Sequence, residues 1–414
     1  MHRDLLQQAY AAMRHDLRKT LLTILGMAWG IATVVLLLAY GNGFGQAINN
    51  IFESFGAHAV AIFPGRTSQQ AGGNKAGTQI RFTDTDVDLL RNVVPLVRHV
   101  SREVDVDNAN VVYEARSYTL PVTGADPPAV DIWNLIVDDG RWLNDEDSVQ
   151  HSKVAVLSSE AKDKLFSGMP ALGQTIRVNG VSFEVVGVLK PRMQEGDSDI
   201  NRNVYIPYSA SDTLKDNHYL GGIWLDFQGV DHDKVTKTIK DALGAAHNFK
   251  PDDTRAVFVF DAMKQLDQFN ILTLALKVLL GFIGTLTLAI GGIGLANIML
   301  VSVTQRTREI GVEKALGARK RDILFQFLAE ALVITAVGGL IGIAMSYVIS
   351  LSVGKLTLYS ALASHADAGD IRLLVAPKIV LIATTILAVV GIISGLVPAV
   401  RAANLDPIEA LRYE

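Results

Sequence analysis

The stretch Gln305–Arg321 reads QRTREIGVEKALGARKR and lies between two long apolar runs. Within it Arg306, Arg308, Lys314, Arg319, Lys320 and Arg321 are opposed only by Glu309 and Glu313. A short, strongly basic loop joining two membrane helices belongs on the cytoplasmic side. Its apolar residues Ile310, Val312, Ala315 and Leu316 recur at near-helical spacing, which predicts a helix with one apolar face. A helix of this kind between two spans is suited to grip a soluble partner. The stretch therefore predicts a membrane protein worked by a separate motor subunit.

Outward from this stretch, apolar runs dominate. The chain has 414 residues, 49% of them hydrophobic and 19% charged, with a mean hydropathy of +0.27. Four runs are long enough to cross a bilayer, which takes about 20 helical residues: 21–40, 271–303, 323–353 and 377–400. Buried helices of soluble proteins rarely stay uncharged for so long. Arg3, Arg14, Arg18 and Lys19 precede the first run, and Arg401 and Arg412 follow the fourth. The distribution of Lys and Arg puts both termini and the 304–322 segment inside, and 41–270 and the short 354–376 loop outside. Residues 1–20 carry an apolar stripe of Leu5, Leu6, Ala9, Tyr10, Met13 and Leu17, which predicts a helix along the inner membrane surface. The first run exceeds the apolar core of a secretory signal and ends without a clear small-residue cleavage site, so it reads as an anchor. Residues 401–414 form a cytoplasmic tail.

The 41–270 segment has a mixed α/β pattern and room for two subdomains. Thr175–Val186 alternates on both sides of Asn179-Gly180, a hairpin with a type I′ turn. Strands are expected at 59–63, 111–123, 154–157, 203–206 and 223–227. Helices are expected after Thr83-Asp84 and over 235–243, and 262–270 reads as a stalk entering the second span. The glycine-rich 64–77 stretch reads as a loop. Glu195, Asp197 and Asp199 read as a solvated acidic loop, because their spacing does not fit a calcium loop.

Several chemistries are missing. The chain has no cysteine and hence no disulfide or thiolate site. No glycine-rich phosphate loop of the Walker A pattern occurs; Gly72-Gly73-Asn74-Lys75 lacks the spacing and the following hydroxyl. The nine histidines form no metal-binding pair, and no serine sits in a nucleophile elbow. No catalytic, cofactor or metal site is expected, and a net charge of -4 gives no reason to invoke nucleic acid. The spans are nearly free of ionisable residues, which disfavours an ion-coupled carrier. Lys277 can snorkel outward, and Glu330 reads as an interfacial carboxylate paired with a nearby Arg or Lys. Small residues are frequent instead. Gly26 and Gly30, Gly338 and Gly342, and Gly391 and Gly395 each fit the close-packing spacing for membrane helices, and Gly291, Gly292 and Gly294 cluster in the second span. Whether they pack within one chain or between two copies is left open.

Gly291–Gly342, the opening LRKTLLTILGMAWGIATVVLLLAYGNGF and the tail VPAVRAANLDPIEALRY carry a likeness. Together they resemble MacB-like and FtsX-like permeases of the ABC transporter superfamily. The resemblance implies four membrane helices with a large mixed α/β extracytoplasmic domain between the first and second. It implies a multi-pass protein of the bacterial inner membrane, paired with a second permease chain, by default another copy. Thr307, Arg308, Glu309, Ile310, Gly311, Lys314, Ala315, Leu316, Gly317 and Ala318 match the family's coupling region, which docks on an ATPase. Glu313 stands where many members carry a basic residue. Asp406, Pro407 and Ala410 to Arg412 match the tail motif.

MacB itself carries a fused ATPase domain. Here the resemblance implies an ATPase in trans, which would bind ATP and Mg. It also implies a periplasmic adaptor, an outer-membrane channel and export of an antibiotic, peptide or lipid-like cargo. The same superfamily offers two alternatives, lipoprotein release and FtsX-like signalling to an envelope hydrolase.

Overall fold

The computed structural model describes residues 17–73, 75–193, 200–353 and 369–411. The predicted surface helix before residue 17, the acidic residues Glu195, Asp197 and Asp199, most of the 354–376 loop and Arg412 lie outside the described residues. The chain forms two compact units, one holding Ala47–Asn270 and Leu358–Asp370 and the other Met1–Gln46, Ile271–Thr357 and Ile371–Glu414.

The flanking unit is helical. Its main helices are α1 (Leu17–Ser54), then α7 (Ala262–Gln305), α8 (Thr307–Ala315), α9 (Lys320–Val353), α10 (Pro377–Ala403) and α11 (Pro407–Leu411), numbered with those of the inserted domain below. Four of these are long and apolar enough to cross a membrane: Thr20–Ser54, Ala262–Gln305, Lys320–Val353 and Pro377–Ala403. At 1.5 Å per residue, the 44 residues of α7 extend about 66 Å. No break separates the expected stalk from the expected span.

Two apolar clusters hold the helices together. One gathers Met27, Ile31, Val34 and Val35 of α1 with Leu288 of α7 and Ala383 and Leu387 of α10. The other gathers Leu295, Met299 and Val303 of α7 with Ile310 of α8, Ile323 and Phe327 of α9, and Ala399 and Ala402 of α10.

The inserted domain is built on one ten-stranded sheet. Its strands are β1 (Ala59–Pro64), β2 (Val97–Tyr113), β3 (Arg116–Ala125), β4 (Val137–Gly140), β5 (Val154–Leu157), β6 (Thr175–Val178), β7 (Val181–Leu189), β8 (Val204–Pro207), β9 (Gly222–Phe227) and β10 (Val257–Asp261). The order is β10-β1-β9-β2-β3-β8-β5-β7-β4, with β6 pairing β2 and β7. Only β3–β8 and β5–β7 run parallel among these pairs. Its helices are α2 (Asp84–Val93), α3 (Ala129–Ile132), α4 (Asp145–Val149), α5 (Ser159–Phe166) and α6 (His232–His247).

Local chemistry explains several boundaries. The β6–β7 hairpin turns at Asn179 and Gly180, whose φ values of 48° and 88° are both positive, as a type I′ turn requires. At the start of α2 the Thr83 backbone N–H donates to Asp86 Oδ2 at 2.8 Å, closing a capping box. One expectation is corrected. The run 111–123 is not one strand but part of the long β2–β3 hairpin, broken at Glu114, whose φ is 50°. Strand β2 begins at Val97, because alternate residues Val100, Val104 and Val106 point into the core from a stretch otherwise rich in charge.

The domain has three apolar clusters. One centres on Phe82, Ile223 and Leu225 between α2, α6 and the sheet. A second centres on Phe166 and Phe183. The third is aromatic, joining Trp133, Trp142 and Tyr205.

Candidate functional site

The basic segment folds as a nine-residue helix, α8, between two tight turns. Arg306 caps its start and its Nη1 donates to Glu330 Oε2 at 3.3 Å, the partner expected for that carboxylate. Thr307 is buried and its hydroxyl donates to the carbonyls of Thr304 and Val303 at 2.9 and 3.1 Å. These bonds use carbonyls that the end of α7 leaves without helical partners.

The helix ends in a Schellman turn. The Ala318 N–H donates to the Glu313 carbonyl at 3.1 Å and the Gly317 N–H to the Lys314 carbonyl at 3.0 Å. Gly317 has a φ of +104°, where a side chain would strain the backbone.

Lys314 points away from solvent toward the tail. Its Nζ donates to the carbonyls of Ala403 and Leu405 at 2.7 and 2.6 Å. These carbonyls lie at the C-terminus of α10, where the helix dipole favours a cation. Burial and the neighbouring Lys320 hold the Lys314 ammonium below its ordinary pKa, against the pull of Asp406. Lys320 Nζ donates to Asn404 Oδ1 at 3.2 Å. Asp406 then starts α11, its carboxylate accepting from the Ile408 N–H at 2.8 Å, with Pro407 in the first helical position. The basic segment and the tail thus form one assembly, a pairing that sequence alone did not suggest.

The predicted apolar face is divided. Ile310, 2% exposed, and Gly311 pack inward against α7, α9 and α10. Val312, Ala315 and Leu316 stay on the surface with Arg308 and Glu309, and Leu316 is 85% exposed. At 3.6 residues per turn, position 310 falls opposite 312, 315 and 316. The surface thus keeps an apolar edge rimmed by charge, while Ile310 anchors the helix from behind.

Seven of the nine singled-out glycines sit where helices of this one chain meet. A Cβ on Gly30 would stand 2.9 Å from Leu288 Cδ1, and one on Gly291 would stand 3.2 Å from the Gly26 carbonyl. A Cβ on Gly338 would stand 2.8 Å from Met27 Cβ, and one on Gly342 would run into Ile31 and the Ala28 carbonyl. Gly391 and Gly395 face Thr335 and Ala331, with 2.7 and 2.6 Å for such an atom, and Gly292 faces Ser394 and Val390. Gly26 and Gly294 have open space at that position. Helix α1 is therefore held against α7 and α9, and α10 against α7 and α9.

Among the described residues no cluster of His, Asp or Glu could hold a metal ion.

The chain resembles known proteins along nearly its whole length. It is 31% identical over 412 residues to the macrolide export ATP-binding/permease protein MacB of Bdellovibrio bacteriovorus, covering 99% of this chain and 61% of the relative. It is 29% identical over 405 residues to the ABC transporter permease YknZ of Bacillus subtilis, covering 98% and 97%. It is 33% identical over 419 residues to the probable syringafactin export ATP-binding/permease protein SyfD of Pseudomonas syringae, covering 97% and 59%. The chain thus spans about 60% of the length of the ATP-binding/permease relatives and nearly all of YknZ. Residues 20–242, over half of the chain, match the MacB-like periplasmic core domain, and residues 281–407 match the FtsX-like permease C-terminal domain. With both matches in the order that the four apolar helices and the inserted sheet require, the chain belongs to the MacB-like, FtsX-like family of ABC transporter permeases.

Proposed function

We propose that the chain is a permease subunit worked by a separate nucleotide-binding subunit, which binds ATP and Mg and docks on the exposed edge of α8. Two copies pair in a bacterial inner membrane with both termini and α8 cytoplasmic. ATP-driven motion of α8 passes along α7 to the inserted domain. The inserted domain then expels cargo through a periplasmic adaptor and an outer-membrane channel.

The observation that carries this reading is the double character of α8. Its outer edge, Val312, Ala315 and Leu316, is exposed. The same helix is tied behind by the Arg306–Glu330 pair and the bonds of Lys314. A docking surface anchored at both ends passes a push onward. The nearly uncharged spans agree, because cargo need not travel between them. The names of MacB and SyfD, both export proteins, favour export over lipoprotein release or signalling.

The test is purification of the tagged chain from membranes, with mass spectrometry of what accompanies it, for wild type and Leu316→Glu. An ABC ATPase with an adaptor is the expected companion. The new carboxylate should cut ATPase recovery at least tenfold, about 1.4 kcal/mol, with the yield of folded permease unchanged. Equal recovery from the variant would remove the docking assignment. An ATPase accompanied by a lipoprotein carrier or an envelope hydrolase would replace the export reading.

A further inference from the structure

The inserted domain contains a cavity of about 400 Å³, within the range of sites that take small organic ligands. All its lining residues belong to the one compact unit that holds Ala47–Asn270. The walls are aromatic. Trp133 and Trp224 meet edge to face with ring centroids 5.5 Å apart, Tyr205 lies 5.8 Å from Trp133, and Phe55 closes another side. The Trp133 indole N–H is buried with no hydrogen-bond partner among the described residues.

Arg192 and Glu103 both line this apolar space, and no ion pair joins them. The Arg192 guanidinium stacks over the Phe55 ring at 4.5 Å and donates from Nη2 to the Ser54 carbonyl. Burial holds its pKa below the ordinary value. No carboxylate among the described residues forms an ion pair with it. The Ser54 carbonyl ends α1, so the helix terminus supplies only about half a negative charge. Glu103 is also buried, accepting from the Trp224 indole N–H at 2.5 Å. Burial and nearby Asp105 push its carboxyl up to about 8, which favours its uncharged form. A half-buried cation facing an apolar space, with no counter-charge among the described residues, is costly, and an anion entering the cavity removes that cost.

We propose that this cavity binds an organic anion, with its apolar body held among Trp133, Trp224, Tyr205 and Phe55 and its anionic head paired with Arg192. The spread of polar and apolar groups fits such a molecule better than a neutral hydrocarbon, which would leave the guanidinium unpaired. It also fits better than a cation, which would be repelled. Among anionic heads, a planar carboxylate suits the forked guanidinium, which can donate two parallel hydrogen bonds. The inference goes beyond the transport reading and does not depend on ATPase docking.

The test uses the full chain in lipid nanodiscs without any ATPase. 4-Benzoylbenzoate, a photoreactive aromatic carboxylate, is compared with neutral benzophenone, and labelled peptides are mapped by mass spectrometry. The carboxylate should label peptides carrying Phe55, Trp133 or Trp224 at least tenfold more than benzophenone does at equal concentration. Arg192→Leu should remove that preference, and Arg192→Lys should keep most of it. Equal labelling of the cavity peptides by both probes, or labelling confined to the apolar helices, would overturn the proposal on the wild-type chain alone. So would a tenfold rise in carboxylate labelling when Glu195, Asp197 and Asp199 are together changed to amides, because the chain's own acidic loop would then be the counter-ion.

Discussion

Lys314 makes the shortest hydrogen bonds between the basic segment and the tail, and Lys314→Met tests their weight. The methionine keeps the length and apolar contacts of the stem and removes the ammonium. The ammonium makes two hydrogen bonds, to the carbonyls of Ala403 and Leu405. A charged hydrogen bond contributes about 1.5–3 kcal/mol where it is buried. Lys314 is only half-buried, and water can replace one bond when it leaves. A loss of about 2 kcal/mol follows, which corresponds to about thirtyfold in the equilibrium for local opening. The tail is also held by packing of α11 on α8, where Ala410 is buried. Leu405 packs against the lower helix cluster, and Lys320 reaches Asn404. Hydrogen–deuterium exchange of the full chain in nanodiscs reads the effect directly. In Lys314→Met, amides of residues 405–411 should exchange about thirtyfold faster, while those of α9 and α10 above the junction stay protected. Lys314→Arg keeps the charge and should restore most of the protection. Unchanged exchange in the tail would show that the two bonds do not hold it, and the assembly described for α8 and α11 would be wrong.

Three further outcomes follow from the geometry. Gly342→Ala should destabilise the helical unit by about 1–3 kcal/mol, because the added methyl meets the Ala28 carbonyl and Ile31. Gly294→Ala, with open space, should cost under about 0.5 kcal/mol, and thermal unfolding in detergent separates the two. His232 lies between two carboxylates, with Nδ1 2.9 Å from Asp261 and Nε2 3.2 Å from Asp267, and the protonated ring donates to both. Burial alone would lower its pKa, but Asp261, with Asp233 and Asp267, raises it net. A raised folded value means that the stabilisation is fully present below about pH 6.5 and disappears as pH climbs through that raised value. His232→Gln should therefore cost about 1–2 kcal/mol at pH 5.5 and little at pH near 9, read from melting temperatures of variant and wild type. Glu103 works the other way. Its folded pKa of about 8 stands above an unfolded value near 4.5, so its ionisation weakens the fold as pH rises between the two. Glu103→Gln should melt higher than wild type above pH 8 and equally at pH 4.5; parallel profiles would contradict the burial assigned to that carboxyl.

The sequence shows some of this architecture openly and hides the rest for physical reasons. Long uncharged runs must be membrane helices because no soluble surface tolerates them, so α1, α7, α9 and α10 are visible from composition. The Asn179-Gly180 turn is visible because two consecutive positive φ values demand those residue types. The Arg306–Glu330 pair is foreseeable because a lone carboxylate near a span needs a partner. By contrast, the cavity is assembled from Phe55, Glu103, Trp133, Arg192, Tyr205 and Trp224, which come from separate strands and loops. No spacing rule connects them, and each alone reads as ordinary core. The inward turn of Ile310 was also hidden. Four apolar residues in a short charged stretch do not say which of them meets a partner and which the chain's own helices.

Glycine placement and charge placement together bear on how motion would travel. Where glycines let backbones approach closely, as Gly291 approaches the carbonyl of Gly26, the helices have little room to slide past one another. Close-packed interiors transmit displacement because they compress poorly. The charges gather instead at the end of the bundle, where Arg306, Glu330, Lys314, Lys320 and Asn404 knit α8 to α9, α10 and the tail. A force on Leu316 therefore meets a junction fixed by hydrogen bonds and then a stack of helices fixed by contact. A soft connection would need flexible residues between α7 and α8, but only Arg306 lies there, and buried Thr307, the first residue of α8, has its hydroxyl bonded to two carbonyls of the preceding turn. Replacing Thr307 with glycine should accordingly loosen the coupling between ATP hydrolysis and any downstream motion while leaving ATPase recovery intact. If hydrolysis and motion stayed coupled in that variant, the turn would not be the point through which force passes.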